Sequence, residues 1–197
     1  MNKMSSLAVV IGLMFATSAS AAVHTYDFGG AVINGTGITP SSSFATLTID
    51  DTTNLFTLSL GNLVSFGFGP NAMATDMAVS YSGANPGASG ASGGVDTVTV
   101  TNTNQPAGAF NFGFGFTTGA NELLSNESVS WTATGFDFSQ VTNGSLGSFA
   151  LRVQGAGQGA NGNGWYGATL AAVPEPETYA MMLAGLALIG FVGRRKA

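Results

Sequence analysis

The chain contains no cysteine and very few charged residues. Without cysteine it has no disulfide framework, no zinc site built on thiolates and no thiol nucleophile, so its stability must come from packing alone. Charged residues make up 8% of the chain, against about 25% in a typical soluble domain. Glycine is abundant instead, with 29 copies in 197 residues. We therefore expect a neutral surface rich in hydroxyl and amide groups.

Histidine is equally scarce, because His24 is the only one in the sequence. It lies close to the start of the predicted mature chain, where residues are often poorly ordered. A lone histidine at such a place argues against a catalytic triad and against a histidine-rich metal site.

Basic residues are nearly absent from the middle of the chain. Between residues 22 and 172 the only one is Arg152, and one base against eight acids gives this segment a net charge of −7. Such a body repels nucleic acid and anionic lipid headgroups, which excludes nucleic-acid binding. The eight acids are Asp27, Asp50, Asp51, Asp76, Asp96, Glu122, Glu127 and Asp137.

The first 21 residues have the three parts of a secretory signal peptide. Lys3 supplies a positive start, residues 7–16 an apolar core, and residues 19–21 a small-x-small cleavage site. We predict cleavage after Ala21 or Ala22. The remaining body, residues 22–172, is long enough for one domain with a sizeable core.

The last 25 residues combine a proline motif, a short apolar run and a basic end. Residues 178–192 carry no charge, but as a helix they would reach only about 23 Å, against a bilayer core about 30 Å thick. This transmembrane helix is therefore marginal as a permanent anchor. The prolines keep the segment before it extended and open to a protease. The motif is Pro174, Glu175 and Pro176, and the basic end is Arg194, Arg195 and Lys196.

These three parts, in this order, resemble the PEP-CTERM sorting signal of Gram-negative bacteria. The resemblance covers residues 173–197 and implies recognition by exosortase, a membrane-embedded cysteine protease that cuts at or near the motif. It also implies an inner-membrane intermediate held through residues 178–192, then delivery to the cell surface or extracellular matrix, and an association with exopolysaccharide, biofilm or floc. Basic residues tend to stay on the cytoplasmic side, so the body is expected outside. The alternative is an ordinary single-span C-terminal anchor.

The body alternates apolar and polar residues with period two, and no window has the spacing of an amphipathic helix. We predict one all-β domain over residues 22–172, a β-sandwich or jelly-roll-like fold. It is flanked by an N-terminal signal-peptide helix and a C-terminal hydrophobic helix.

The clearest predicted strand covers residues 110–116, where phenylalanine alternates with small residues and should point into the core. Residues 64–68 are a second, shorter strand of this kind. The glycine-rich residues 83–94 and 155–164 are predicted to be loops. The inward phenylalanines of the first strand are Phe110, Phe112, Phe114 and Phe116.

Three oxygen-bearing residues between two predicted strands are the candidate calcium ligands, namely Asp50, Asp51 and Asn54. Calcium takes oxygen ligands and pins acidic loops in many secreted β-domains. The same residues equally suit a capped turn, because their spacing does not match the EF-hand loop. No other cofactor is expected.

Three aromatic residues are candidates for stacking on sugar rings: Trp131, Trp165 and Tyr166. The alternative for each is burial in the core or at its rim, with the polar tip satisfied at the surface.

Glu122 and Glu127 are the nearest approach to a pair of catalytic carboxylates. A glycosidase would need such a pair about 5 to 9.5 Å apart across a cleft, and the alternative is two solvated loop acids.

Taken together, these features predict an exported, non-catalytic protein of the cell surface or extracellular matrix. A carbohydrate-binding, lectin-like module using the three aromatic residues is the first alternative. An enzyme that acts on glycosides through paired carboxylates and a subunit that assembles into β-rich fibres are the others.

Overall fold

Eleven antiparallel strands form most of the part of the chain that the structure describes. The computed structural model describes residues 22–101, 106, 110–116, 122–157, 162–171 and 186. The predicted all-β class is confirmed. The strands are β1 (Val23–Gly35), β2 (Ala45–Asp50), β3 (Leu55–Leu60), β4 (Met73–Val79), β5 (Gly87–Gly93), β6 (Thr99–Thr101), β7 (Phe112–Gly115), β8 (Leu123–Leu124), β9 (Ser128–Thr134), β10 (Phe149–Gln154) and β11 (Asn163–Leu170).

All eleven strands belong to one continuous sheet. Its order is β5-β9-β3-β2-β1-β11-β10-β4-β7-β6, and the two-residue β8 pairs with β4 beside this path. The two ends of the path, β5 and β6, come within 8 Å of each other between Cα atoms. The sheet therefore curls until it is nearly closed, and the two layers that a sandwich would bring together are halves of the same sheet.

The core lies inside this curl and is filled by aromatic rings from both halves. Phe56 on β3 and Trp131 on β9 are neighbours, with ring centroids 5.3 Å apart. Phe114 on β7 packs against both, at 5.5 Å from Phe56 and 5.2 Å from Trp131. All three side chains are fully buried. Aromatic contacts of this kind hold the two halves of the curled sheet together. The chain has no cysteine, so no disulfide contributes to this.

Alternation along the strands separates this core from an outer polar face. On β2 the buried and half-buried residues alternate without exception along the strand. The next strand in the sheet, β3, follows the same rule. Side chains of a strand point alternately to its two faces, so the apolar set lies inside and the hydroxyl set outside. The inward residues of these two strands are Ala45, Leu47, Ile49, Phe56, Leu58 and Leu60.

Phe110 differs from the prediction that four phenylalanines share one face. Phe112, Phe114 and Phe116 lie in the main core, but Phe110 packs in a second, smaller cluster with Ala78, Ala150 and Trp165. The reason is that β7 begins only at Phe112. Before it, the side chain of Asn111 accepts a hydrogen bond from the backbone N–H of Tyr81 at 2.8 Å, so regular alternation does not extend to Phe110.

Two other segments also differ from the prediction. Residues 64–68 are not a strand, because Leu63–Phe66 form a short 3-10 helix that Asn62 caps and that ends at Gly67 in a left-handed conformation, with φ of 93°. Within the predicted loop of residues 83–94, the segment Gly87–Gly93 is the strand β5, paired with β9. Ala88 and Ala91 pack against the core, but glycine, alanine and serine bring little apolar surface, so backbone pairing with β9 is the main support of this strand.

The predicted signal-peptide helix and C-terminal hydrophobic helix lie outside the described residues, apart from Leu186. Among the residues that are described, no helix has both the length and the apolar character needed to cross a membrane.

Candidate functional site

The outer side of one half of the sheet carries a broad array of serine and threonine side chains, which we call the hydroxyl face. It extends over the five neighbouring strands β1, β2, β3, β9 and β5. Every side chain of the array is half-buried or exposed. The residues of the hydroxyl face are Thr25, Thr46, Thr48, Thr57, Ser59, Ser89, Ser92, Ser128, Ser130 and Thr132.

The strand register places these hydroxyls in rows that run across the strands. The middle row has one residue from each strand, because each is the cross-strand partner of the next. Neighbouring strands lie about 4.8 Å apart, so the hydroxyls of a row are spaced by about that distance over five strands. The middle row consists of Thr25, Thr48, Thr57, Ser130 and Ser92.

Some of these hydroxyls bond to one another, and others are left for solvent or a ligand. The side-chain oxygens of Thr57 and Ser130 are 2.8 Å apart, and the hydroxyl of Thr46 donates to the Asp27 carboxylate at 3.0 Å. By contrast, the hydroxyls of Thr25 and Thr48 have no side-chain hydrogen bond to the part of the chain that the structure describes. The face therefore offers free donors and acceptors that are fixed in position by the sheet.

Trp165 lies on the outer side of the other half, beside the one basic residue of the body. It is the cross-strand partner of Arg152, whose Nη1 donates to the Asp76 carboxylate at 3.2 Å. Only 8% of Trp165 is exposed, because it packs on Ala78 and Ala150. Of the three candidate stacking residues, Trp165 alone lies on the outer side. Its nearly complete burial there agrees with the alternative interpretation, a residue at the rim of the core.

Trp131 and Tyr166 need a correction, since both are core residues and neither ring has a face open to solvent. Trp131 packs between Phe56, Phe114 and Phe116. The Tyr166 hydroxyl donates to the backbone oxygen of Ile38 at 3.1 Å, and burial raises the pKa of Tyr166 to about 12. A ring must expose one face to stack on a sugar, so these two cannot do so in this structure.

The candidate calcium residues form a tight turn between β2 and β3. One carboxylate oxygen of Asp50 accepts hydrogen bonds from the backbone N–H groups of Thr52 at 2.9 Å and Thr53 at 3.1 Å. Asp51 faces away toward His24, with 3.3 Å between carboxylate oxygen and ring nitrogen. Asn54 has a left-handed backbone, with φ of 54°. This geometry is that of the capped turn.

The described structure shows no cluster of metal-ligating side chains at this turn. Within the described ranges, no three or more histidine, cysteine, aspartate or glutamate side chains come together as metal ligands would. The carboxylates of Asp50 and Asp51 also point to different partners.

Glu122 and Glu127 do not face each other across a cleft in the described structure. Glu127 accepts a hydrogen bond from the backbone N–H of Leu124 at 2.8 Å and so closes its own turn. Glu122 lines an open hollow of about 430 Å³ together with Pro70, Asn71 and Met73, and it is the only carboxylate among the described residues of that lining. A glycosidase requires a second carboxylate beside Glu122, and none of the described residues provides one in this hollow.

We expect the stability of the protein to fall at acid pH partly through two exposed caps. The backbone N–H groups of Thr53 and Thr52 lower the pKa of Asp50, and the hydroxyl and N–H of Ser139 lower the pKa of Asp137. A carboxyl whose folded-state pKa is depressed stabilises the fold above its unfolded pKa, and this contribution is lost as the pH falls through the folded pKa.

The measurement is the melting temperature of the wild type and of Asp50→Ala/Asp137→Ala between pH about 7 and about 2. The variant should melt lower at neutral pH, and the gap should shrink steadily toward the acid end, where the wild-type carboxyls are protonated too. A gap of constant size over this range would contradict the assignment.

Sequence reasoning missed the hydroxyl face as a site, although its signal is visible. In β2, β3 and β9 the residues between the apolar ones are mostly serine or threonine. The sequence does not show which strands pair or in which register. The hydroxyls lie in rows only because of that register.

Comparison with known protein families finds one match, at the end of the chain. Residues 172–196 match the family model described as the PEP-CTERM protein-sorting motif. The matched segment contains the proline motif and the basic residues singled out above, all of which lie outside the described residues. No curated protein and no solved structure matches the chain.

Proposed function

Since the chain carries the sorting motif of exported exosortase substrates, we propose that it is a non-catalytic component of the cell surface or extracellular matrix. The motif implies processing by exosortase and export across the membrane to the surface of a Gram-negative cell. The finer part of the proposal is that the delivered body associates with exopolysaccharide, in a biofilm or floc, after a transient stay in the inner membrane through residues 178–192.

The hydroxyl face is the observation that supports a polysaccharide partner. A hydrated polysaccharide is itself an array of hydroxyls, so the two surfaces can exchange hydrogen bonds with water for hydrogen bonds with each other at little net cost. Serine and threonine lose little side-chain freedom when a partner orders them, in contrast to lysine or glutamine. The carboxylate of Asp27 lies on the same face and is bonded to Thr46, so uncharged hydroxyls make up most of the surface that a neutral polymer would meet there.

The proposal includes neither catalysis nor a resident cofactor. The described carboxylates with clear partners act as caps or ion pairs: Asp50 and Glu127 bind backbone N–H groups, and Asp76 binds Arg152. Such engaged groups are poor general acids or bases, which need a free geometry toward a substrate.

Affinity electrophoresis of the purified protein in gels that contain the exopolysaccharide of its host tests this proposal. We expect the wild type to be retarded, and Thr25→Val/Thr48→Val to be retarded much less. Each lost hydrogen bond should weaken binding by roughly fivefold, since one bond is worth about 1 kcal/mol. Valine keeps the branched shape that suits a strand.

Thr99→Val is the matched control, since Thr99 is an exposed threonine of β6, a strand that carries no residue of the hydroxyl face and is several strands away from β1 and β2. It should migrate as the wild type does. Equal migration of all three proteins with and without polymer would contradict the proposal. Loss of retardation in Trp165→Ala alone, with circular dichroism unchanged, would instead favour the lectin-like module.

A further inference from the structure

The last residues of β11 are held in the sheet from one side. Its first five residues, 163–167, pair with β10, and that pairing ends at Gly167. Beyond it, the registered partners of residues 168–170 in the described structure all lie on β1. The backbone N–H of Ala171 adds one more bond, to the Thr25 oxygen at 2.8 Å. We call residues 168–171 the strand end.

Of the four side chains of the strand end, Thr169 and Leu170 are exposed, whereas Ala168 and Ala171 are half-buried and Ala168 packs against the core. Leu170 is 64% exposed, and Thr169 is exposed with its hydroxyl 3.3 Å from the Asp27 backbone oxygen. A strand segment with one neighbouring strand, small or exposed side chains and a handful of backbone bonds is the kind that opens locally at little cost in free energy.

The strand end is also the part of the body closest along the chain to the sorting motif. The match to the motif begins at residue 172, directly after Ala171. Pro174 follows only three residues later, which at full extension is a reach of at most about 11 Å. A protease that binds its substrate as an extended strand needs residues on both sides of the cut, and backbone bonds already made to β1 are not available to it.

We propose that residues 168–171 are part of the segment that exosortase binds, and that they separate from β1 when it does so. This inference rests on the proposed processing by exosortase. The fold of the body then affects the rate of processing, because the protease and β1 compete for the backbone of the strand end. The rest of β11 stays in place, since β10 and β1 hold it from both sides.

A disulfide between β1 and the strand end tests this directly. Asp27 and Thr169 are cross-strand partners, and Cα atoms of such a pair are about 5.5 Å apart, within the range that a disulfide bridges. The chain has no cysteine of its own, so Asp27→Cys/Thr169→Cys can form only this bond within one molecule, and the oxidising periplasm permits it.

In cells that express exosortase, we expect the cross-linked variant to be processed at least about tenfold more slowly than the wild type, because local opening is blocked. A pulse-chase experiment that follows the mobility shift of the processed form measures this rate. Insertion of eight glycine and serine residues between Ala171 and Ala172 should restore processing of the cross-linked variant, since the protease then has free chain to bind.

Asp27→Ser/Thr169→Ser is the matched control and should be processed at the wild-type rate. Reduction of the cross-linked variant with dithiothreitol should return it to that rate. Such a recovery would show that the disulfide, and not a folding defect, slows processing. Processing of the cross-linked variant at the wild-type rate, or failure of the inserted linker to restore it, would overturn the inference. A wild type that is processed equally without exosortase would instead overturn the proposed processing itself.

Discussion

Replacement of Pro174, Glu175 and Pro176 together by alanine should leave the full-length chain in the membrane fraction and abolish its delivery to the cell surface. The match at residues 172–196 places these three residues at the start of the sorting motif. Alanine is a strong helix former, whereas proline blocks a helix. The substitution therefore removes the recognised side chains and the break that the prolines impose on a helix, while Glu177 still bounds the apolar run.

Cell fractionation followed by immunoblotting of membrane, surface and medium measures this effect. The matched control is Pro70→Ala/Glu122→Ala, which changes the same residue types within the body. It should leave sorting unchanged, because both residues lie at an open surface hollow. Normal delivery of the triple variant would show that the motif is not read in this protein.

The replacement of Phe114 by alanine should destabilise the body by about 3–5 kcal/mol. Phe114 is fully buried and packs on Phe56 and Trp131 from the opposite half of the sheet. Its removal costs the transfer free energy of the ring and leaves a cavity where the two halves meet. Small domains have total stabilities of roughly 5–15 kcal/mol, so a large share of the molecules would unfold under mild stress.

Urea unfolding followed by tryptophan fluorescence measures this loss, since Trp131 is in contact with the altered site. Phe114→Leu keeps most of the apolar volume and should cost less than half as much. Phe66→Ala is the control at the rim of the core, because Phe66 is only partly buried and lies in the 3-10 helix. Equal losses in Phe114→Ala and Phe66→Ala would show that the two halves are not held together at Phe114.

The fold class could be predicted because most strands carry the alternation that defines them. β2, β3 and β9 each place apolar residues at every second position, and this pattern depends on local chain geometry alone. β5 was missed for the opposite reason. Its residues are glycine, alanine and serine, and what makes it a strand is the edge of β9, which no local pattern records.

The candidate sites show the same division between local and distant causes. The turn at Asp50 was predictable as a turn because its bonds join residues two and three apart. Tyr166 is buried against Phe44 and Phe68, which are more than ninety residues away in the sequence. The local sequence shows only two adjacent aromatic residues, Trp165 and Tyr166, and therefore suggested a pair at the surface. The hydroxyl face depends on the register of five strands at once, and that register is set by the whole core.

The seam where β5 meets β6 has a consequence for how such a protein behaves when crowded. Unpaired strand edges are where β-proteins recruit further copies and grow into filaments. Here the two end strands come within 8 Å of each other between Cα atoms without pairing, so each end strand limits the room for a second molecule at the edge of the other. For the matrix component proposed above, we therefore expect separate particles in a dense extracellular layer, with no protein filament running between them.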